Sequence, residues 1–496
     1  MHDANSSQRC LTRLAELTAP RLLLQLWPVV LRIARLIHRF RQQPPTPAGM
    51  QHFETELAKL LCEAGRRIVQ WTLNHLEPDD RPLSRELFYQ LDHYRAKRRS
   101  PTRNLNCLFG QIRVWRWLYE ATESALPALF PLELQLGLVA SVATPALADR
   151  VAQLAVDFSQ RQVLLILRDQ HQVCWGAVTL RKVTAGMAQA MSPFQHAAQV
   201  AQVLAWLKEA ADASGPRRIA LSVGRDGLML PIRGLSKYKE GAVGTLSVYN
   251  RWGKRLGTVY LGQMPQAGQT DLSDELTRLI REVLSTWDGP ALRLVFVTDA
   301  GFHCREYYEQ TLCRMIDPQR PGVLLSWEWV VDYYHACQYV SRLGEAIFGP
   351  GRAAHAWSAK MRRWLKEKPG GVYRVLRSAG ALRAIRGLVD EESDYTSAYN
   401  FLRRHASSMD YSRYRRQRTP IGSGVTEAAC KIVFTQRFKR AGMKWNIEDG
   451  SSVLSLRVIA LSGLWSTVRA AMLDSQRATQ LRTPRKLCEN EAQIAA

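Results

Sequence analysis

The sequence predicts a mixed α/β core whose sheet carries helices on its faces. A mostly helical segment interrupts this core, and a helical and β-hairpin region precedes it. Three observations predict this. After Gly215, apolar runs of strand length alternate with segments of 3.6-residue period. A helical, arginine-rich block follows from about residue 353 to 418, and only then comes the last helix of the core. The first hundred residues carry two long amphipathic runs joined by the proline-rich RQQPPTP.

Taken in order, residues 11–76 read as helices, the second run covering 50–75. In 104–120, NLNCLFGQIRVWRWLYE, the period changes. Ile112, Val114, Arg116 and Leu118 alternate with Arg113, Trp115, Trp117 and Tyr119, and Phe109-Gly110 marks a turn. That pattern predicts a hairpin with aromatics and arginines on one face. From 144 to 191 the period is helical, with a break near His171-Gln172. Two short helices about a tight turn, with Thr179, Arg181 and Lys182 on the second, form a helix-turn-helix-like candidate for DNA binding. Helical hairpins of other kinds fit the same pattern.

RRIALSVGRDG then predicts a buried strand ending at Asp226, and GAVGTLSVYNRWGKRLGTVYLGQM a hairpin turning at 250–253. LSDELTRLIREVLSTW is a helix by its period, and ALRLVFVTDAG a second apolar strand ending at Asp299. REYYEQTLCRMI is a helix, VLLSWEWVV a third strand, and DYYHACQYVSRLGEAIF a helix. The order predicts a sheet with helices on its faces. The expected divisions are 1–100 (helical, for dimerisation or end binding), 101–214 (hairpin and helix-turn-helix-like), 215–350 (core), 351–419 (insertion), 420–470 (core, second part) and 471–496 (a basic, flexible tail).

Charge narrows the class of partner. Lys and Arg number 68 against 44 acids, a net +24 over 496 residues. From Gly351 to the end there are 27 basic and 12 acidic residues, so +15 of that charge lies in the last 146. Such clustering points to a polyanion. A membrane is not expected: the best apolar run, 22–31, is about half a bilayer span and is closed by Arg32. The polar opening MHDANSSQRC is unlike a signal peptide. Nine scattered cysteines without a CxxC pair argue against a disulfide framework or zinc finger and fit a reducing cytosol.

Three carboxylates stand at strategic points. Asp226 and Asp299 end apolar strands, and their side chains converge if those strands are neighbours. Glu427 opens a helix after Ile421-Gly-Ser-Gly, with Ser423 as the expected N-cap. Two-metal phosphoryl transfer needs acidic oxygens grouped around ions about 3.5–4 Å apart, and magnesium takes hard oxygen ligands. Each residue alone has an ordinary reading: Asp226-Gly227 is a turn signal, Asp299 can simply end a strand, and Glu427 suits a helix N-terminus.

Arg413, Arg415, Arg416 and Arg418 precede Glu427, and Lys431, Arg437, Lys439, Arg440 and Lys444 follow it. Helical spacing cannot set all of these on one face, yet enough remain to neutralise several phosphates. Trp115 and Trp445 are candidates for stacking on an unpaired base, against the default of core packing. His335 with Cys337 makes a poor zinc site. His335 is instead expected as a hydrogen-bonded buried histidine that orients Asp332 or nearby backbone, and Cys430 as a small core residue.

The pieces VGRDG, KRLGTVYLGQMPQ, VTDAGFH, WEWVVDYYHA and TPIGSGVTEAACKIVFTQRFKRAGMKW, in that order, resemble the Kra-type insertion-sequence transposases. These are DDE enzymes with an RNase H-like core, related to the mutator-like group. The likeness covers roughly residues 100–465. It implies an α/β RNase H-like catalytic core with a helical insertion, and Asp226, Asp299 and Glu427 as the catalytic, metal-binding triad. The spacings are 299 − 226 = 73 and 427 − 299 = 128 residues. Asp332 and His335 in DYYH resemble the D-x-x-H element that lies near the site in mutator-like enzymes. One departure stands out: many relatives carry paired cysteines after the hairpin, whereas EATESALPALFPLELQLGL has none.

The function these readings imply is metal-dependent cleavage and strand transfer of the terminal inverted repeats of an insertion sequence into target DNA. Two Mg2+ or Mn2+ ions per site are the expected cofactors. A homodimer or higher oligomer is expected because two ends must be joined, and the apolar helix of 22–36 serves it or packs in a core. The expected location is a prokaryotic cytoplasm, on the nucleoid. The alternatives are a transposase-derived DNA-binding protein without catalysis, and a structure-selective RNase H-like nuclease.

Overall fold

The computed structural model describes residues 3–123, 126–386, 394–477 and 481. The chain forms two compact units, one from the described residues of Met1–Ala190 and Arg469–Ala496, the other from Met191–Val468.

In the first unit, helices α1 (Asp3–Gln42) and α2 (Pro47–Asn74) pair as a hairpin, held near its turn by stacking of Phe40 on Phe53. Pro47 occupies the first turn of α2 and Thr46 caps it, its hydroxyl accepting from Gly49 N. Strands β1 (Glu86–Tyr89) and β2 (Asp92–Pro101) follow, although the sequence places this stretch in a helical region. Their turn, Gln90-Leu91, holds both residues at positive φ, 51° and 74°. This is the backbone of a tight primed turn. The expected hairpin over 104–120 is smaller than its pattern suggests. Only β3 (Asn106–Cys107) and β4 (Gly110–Gln111) pair with each other, while β5 (Trp115–Ala121) pairs antiparallel with β2.

As an edge strand of the order β1-β2-β5, β5 has its free side covered. The amide of Arg113, just before it, donates to Gln70 Oε1 at 2.9 Å, and Trp115 N donates to Asn74 Oδ1 at 2.7 Å. Trp117 N donates to Glu77 Oε2 at 3.0 Å, and Tyr119 N to Leu129 O at 2.9 Å. Trp115, Trp117 and Tyr119 alternate onto one face of the strand, with Arg113 over Trp115, but their burial differs. Arg116 is buried against Glu133 and Tyr119 is buried, whereas Trp115 is exposed between Arg99 and Arg113.

Three helices lead out of this unit's chain order: α3 (Pro131–Gln135), α4 (Pro145–Asp157) and α5 (Gln160–His171). A Ser159/Gln162 capping box starts α5, and left-handed Gln172 ends it. The break near His171-Gln172 is therefore real. The helix after it is not short, as a helix-turn-helix would require: α6 (Ala177–Asp212) runs 36 residues, continuing through Pro193.

The second unit is a mixed α/β structure. Among its described residues the strands are β6 (Ala220–Leu230), β7 (Lys239–Tyr249), β8 (Arg255–Gln263), β9 (Arg293–Thr298) and β10 (Trp327–Val331). They lie in the order β10-β9-β6-β7-β8. β10, β9 and β6 are parallel, and β7 is antiparallel to both of its neighbours. Helix α7 (Thr270–Thr286) buries Leu272, Leu276, Leu279, Ile280 and Val283, the single stripe its period predicts. α8 (Phe302–Tyr307) leads toward β10, and α9 (Tyr333–Phe348) follows that strand.

The arginine-rich block forms α10 (Arg352–Glu367), α11 (Gly371–Arg386), α12 (Asp394–Arg404) and α13 (Tyr411–Arg416). It shares one core with the sheet: Val295 and Val330 belong to the same apolar cluster as Val340, Met361, Leu402 and Tyr411. Tyr411 Oη donates to Val331 O at 2.9 Å, tying α13 to the end of β10. Last come α14 (Gly424–Ala429), a π-helical turn at Cys430–Thr435, α15 (Gln436–Phe438), α16 (Ile447–Leu461) and α17 (Trp465–Arg477). The expected flexible tail thus begins as helix, and apart from Leu481 the rest of it lies outside the described residues. No single helix among the described residues is long and apolar enough to cross a membrane.

Candidate active site

The site is built by sheet register. β6 and β9 pair in parallel from Ala220↔Arg293 to Val223↔Phe296. The ladder ends there, and Asp226 and Asp299 each stand three positions beyond it, close enough for the charge of Asp299 to act on Asp226. Asp226 does not end its strand, as the sequence suggests. β6 runs on to Leu230 because β7 continues to pair with it on the other side, Asp226 standing opposite Val243. Asp299 does follow β9 directly, and its Oδ1 accepts from Gly301 N at 2.9 Å across left-handed Ala300.

The helix carrying Glu427 is brought in by small residues. Gly224 lies under α14, where a Cβ would stand 1.9 Å from Thr426 Oγ1 and 2.6 Å from Thr245 Oγ1. Those two hydroxyls are themselves bonded at 3.0 Å, buried between helix and strand. One turn beyond Glu427, Cys430 Sγ donates to Asp226 Oδ2 at 3.3 Å. Positions i and i+3 share a helix face, so Glu427 is on the side of α14 that meets Asp226.

Electrostatics agree with this grouping. Asp226 is pushed up to about 6, chiefly by burial, then by the negative charge of Asp299 and more weakly by that of Glu427. Bonds from Cys430 and Gly227 N pull the other way. The adjacent guanidinium does not compensate the charge. Arg225 faces away, bonded to Ser273 Oγ at 2.8 Å and to Gln269 Oε1 at 3.0 Å, with its ring neighbour Tyr307. Among the described residues no three His, Cys, Asp or Glu side chains are closed around an ion-sized point. What the structure offers a cation is a half-buried carboxylate, raised in pKa, with two further carboxylates near enough to raise it. Hard oxygen donors of this kind suit magnesium or manganese.

Asp332 is buried and holds the approach to α14. Its carboxylate accepts from His335 N at 2.7 Å, from Ser423 Oγ at 2.7 Å, and from Ser423 N. The flanking backbone adds Asp332 N to Thr298 O and Tyr333 N to Ile421 O, both at 2.8 Å. Two expectations change here. Ser423 stands at the N-cap of α14, but its hydroxyl serves Asp332 and not the helix. His335 meets Asp332 through its amide, while its half-buried ring packs edge-on against Tyr339 and Phe401.

The π-helical turn after Cys430 is a feature the sequence does not announce. Such turns leave carbonyls unpaired and often occur at functional sites. Here buried Arg457 reaches over from α16 and donates from Nε to Ile432 O at 2.8 Å and Val433 O at 3.0 Å.

The cationic residues divide. Arg415, Arg416, Arg418, Lys431, Lys439, Arg440 and Lys444 are exposed. Arg413 is drawn into pairs with Glu328 and Asp410. Arg437, expected among the phosphate contacts, is 1% exposed. Its guanidinium lies 4.8 Å from the Trp445 ring, in a core that also holds Phe438. Trp445 is likewise core, its indole N–H donating to Phe438 O. On α6, Lys182 is exposed, whereas Thr179 and Arg181 are half-buried. The chain matches no protein-family model and no curated protein.

Proposed function

We propose that this protein is a DDE transposase of the Kra-type resemblance, with an RNase H-like core, that cuts and joins the DNA ends of its insertion sequence. The observation that carries the proposal is the grouping of Asp226 with Asp299 and Glu427, whose charges both act on it, with the Glu427 helix seated on Gly224. The strand order supports the fold assignment: three consecutive antiparallel strands, β6-β7-β8, with β9 and β10 added in parallel on the other side of β6. The burial of Asp226 beside the negative charges of Asp299 and Glu427 supports the two-ion assignment.

In this reading Asp226, Asp299 and Glu427 would hold two Mg2+ or Mn2+ ions. When bound, such ions lower the pKa of water and stabilise charge on attacking and leaving oxygens. The chain's own residues do the positioning. Asp332, Ser423 and the Thr245–Thr426 pair fix the carrier of Glu427, and Cys430 orients one oxygen of Asp226. The exposed lysines and arginines flanking α14 hold phosphates by charge. Assembly of a dimer or larger complex follows from the need to hold two ends together, and a nucleoid location from the substrate.

The test is a plasmid carrying the element's ends, incubated with Mg2+ or Mn2+ and either wild type or Glu427→Gln. The proposal expects end-specific nicks or breaks from wild type only. Cleavage of junctions or hybrids without regard to the ends would replace it with a nuclease. End binding by both proteins with no cleavage would replace it with a DNA-binding protein.

A further inference from the structure

Apart from the carboxylates, the second unit contains a cleft of about 620 Å3 where the β7–β8 turn meets the chain between α13 and α14. Arg217, Lys366, Arg415, Arg416 and Arg418 line it against one acid, Glu367, a net of 5 − 1 = +4. None of these five cations makes an ion pair among the described residues. Arg217 spends its Nε on Arg416 O at 2.9 Å, and Lys366 lies over the Tyr333 ring.

The cleft is a built feature as well as a charged one. Thr419, on its wall, is 6% exposed, and its Oγ1 is buried without a hydrogen-bond partner. A buried hydroxyl of this kind wants an acceptor. Arg418 holds φ at 58°, in the left-handed position that ends α13, where glycine is the usual residue. Strain of this sort collects at functional sites. Gly253, at φ 76°, packs so tightly on Arg418 that a Cβ would stand 2.9 Å from Arg418 O. That contact seats the turn, and with it Trp252, whose side chain lines the cleft and is 58% exposed.

Cations without counter-ions, an orphan hydroxyl and an exposed indole together match a phosphate bearing an unstacked base. A duplex offers no free base face, whereas a single strand does. We infer that this cleft binds an unpaired stretch of DNA strand, with a phosphate among Arg217, Arg415, Arg416 and Thr419 and the neighbouring base stacked on Trp252. The inference rests on the proposed function, for it assigns the strand site of an enzyme that opens DNA ends.

The experiment uses the full chain in EDTA, so that no strand is cut, with an oligothymidine carrying one 5-iodouracil. Irradiation followed by peptide mapping is expected to place the cross-link on Trp252. Anisotropy with a labelled oligothymidine is expected to show a loss of about 5- to 100-fold for Trp252→Ala, restored by Trp252→Phe. An abasic strand of equal length should bind wild type and Trp252→Ala alike. Arg415→Gln with Arg416→Gln should weaken both strands and flatten the salt dependence. A cross-link elsewhere, or equal oligothymidine binding by Trp252→Ala, overturns the inference. So does displacement by free thymidine monophosphate at the strand's own affinity, which would make the cleft a nucleotide site. Glu427-dependent end cleavage is scored separately. If it persists without the cross-link, the strand site alone fails. If the cross-link maps to Trp252 and no cleavage occurs, the proposed function fails and the strand site stands.

Discussion

Asp226 and Asp299 stand three residues past the last paired positions of β6 and β9, Val223 and Phe296, and the charge of Asp299 raises the pKa of Asp226. Neighbouring parallel strands bring the two carboxylates near each other. This proximity also gives the site its pH dependence. An aspartate raised to about 6 from a usual value near 3.8 is more easily protonated folded than unfolded. Stability from this group is complete below about pH 4 and is lost as pH rises through 6. Asp226→Asn should therefore raise the Tm at pH 8, by an amount corresponding to about 1–3 kcal/mol, and change little at pH 4. Wild type should gain Tm from Mg2+ or Mn2+ at pH 8, and the variant should not. Thermal scans in EDTA and in metal check both; an unchanged Tm at pH 8 would mean that Asp226 is not electrostatically frustrated.

Gly224→Ala tests how Glu427 is placed. The new methyl would fall 1.9 Å from Thr426 Oγ1, so α14 must shift. Overpacking of this kind costs about 1–3 kcal/mol. End cleavage should fall with it, and Gly224→Ala combined with Thr426→Ala should recover part of the stability. Denaturant titration of the two variants decides this, since no recovery in the double variant would place the collision elsewhere.

Asp332 and His335 separate cleanly. Asp332→Ala strands three buried donors and should cost about 3 kcal/mol or more. His335→Phe keeps the amide that reaches Asp332 and an aromatic ring against Tyr339 and Phe401, so its loss should stay under about 1.5 kcal/mol. Should His335→Phe prove as damaging as Asp332→Ala, the imidazole has a role its packing does not reveal.

Arg457→Met removes the donor that serves two carbonyls of the π-helical turn. Burying those carbonyls unpaired should cost about 2–4 kcal/mol. Hydrogen exchange is expected to quicken across 430–438 before the rest of the unit opens, and uniform loosening would contradict this.

The salt dependence of DNA binding should sort the cations. Lys431→Gln and Lys444→Gln each remove one exposed charge and should reduce the slope by about 0.7–0.9. Arg437→Gln should destabilise the fold and leave the slope of the remaining folded protein unchanged, because that guanidinium is packed on Trp445.

Where period and burial agree, the sequence is readable. β7, β8, α7, β9, β10 and α9 follow from apolar runs and stripes, and the order of the carboxylates follows with them. β1 and β2 escape because their turn, Gln90-Leu91, carries neither Gly nor Asn, and because DHYRAKRRSP shows no apolar alternation. The π-helical turn escapes because KIVFTQ contains no breaker. Arg437 is misread because a run of charges normally marks a solvated face, and only packing distinguishes the one that turns inward. The Cys430–Asp226 bond spans 204 positions, a separation at which no local pattern carries information.

The covered side of β5 has a mechanical consequence. Two strand residues advance about 6.7 Å, and four helical residues about 6.0 Å. Gln70 and Asn74 can therefore meet the alternate amides of Arg113 and Trp115 as a gauge meets its marks. Inserting one residue between them would turn one about 100° away from the other and leave one of those amides bare. The helix thus sets where the strand starts, and closes to other chains an edge that would otherwise be free to recruit them.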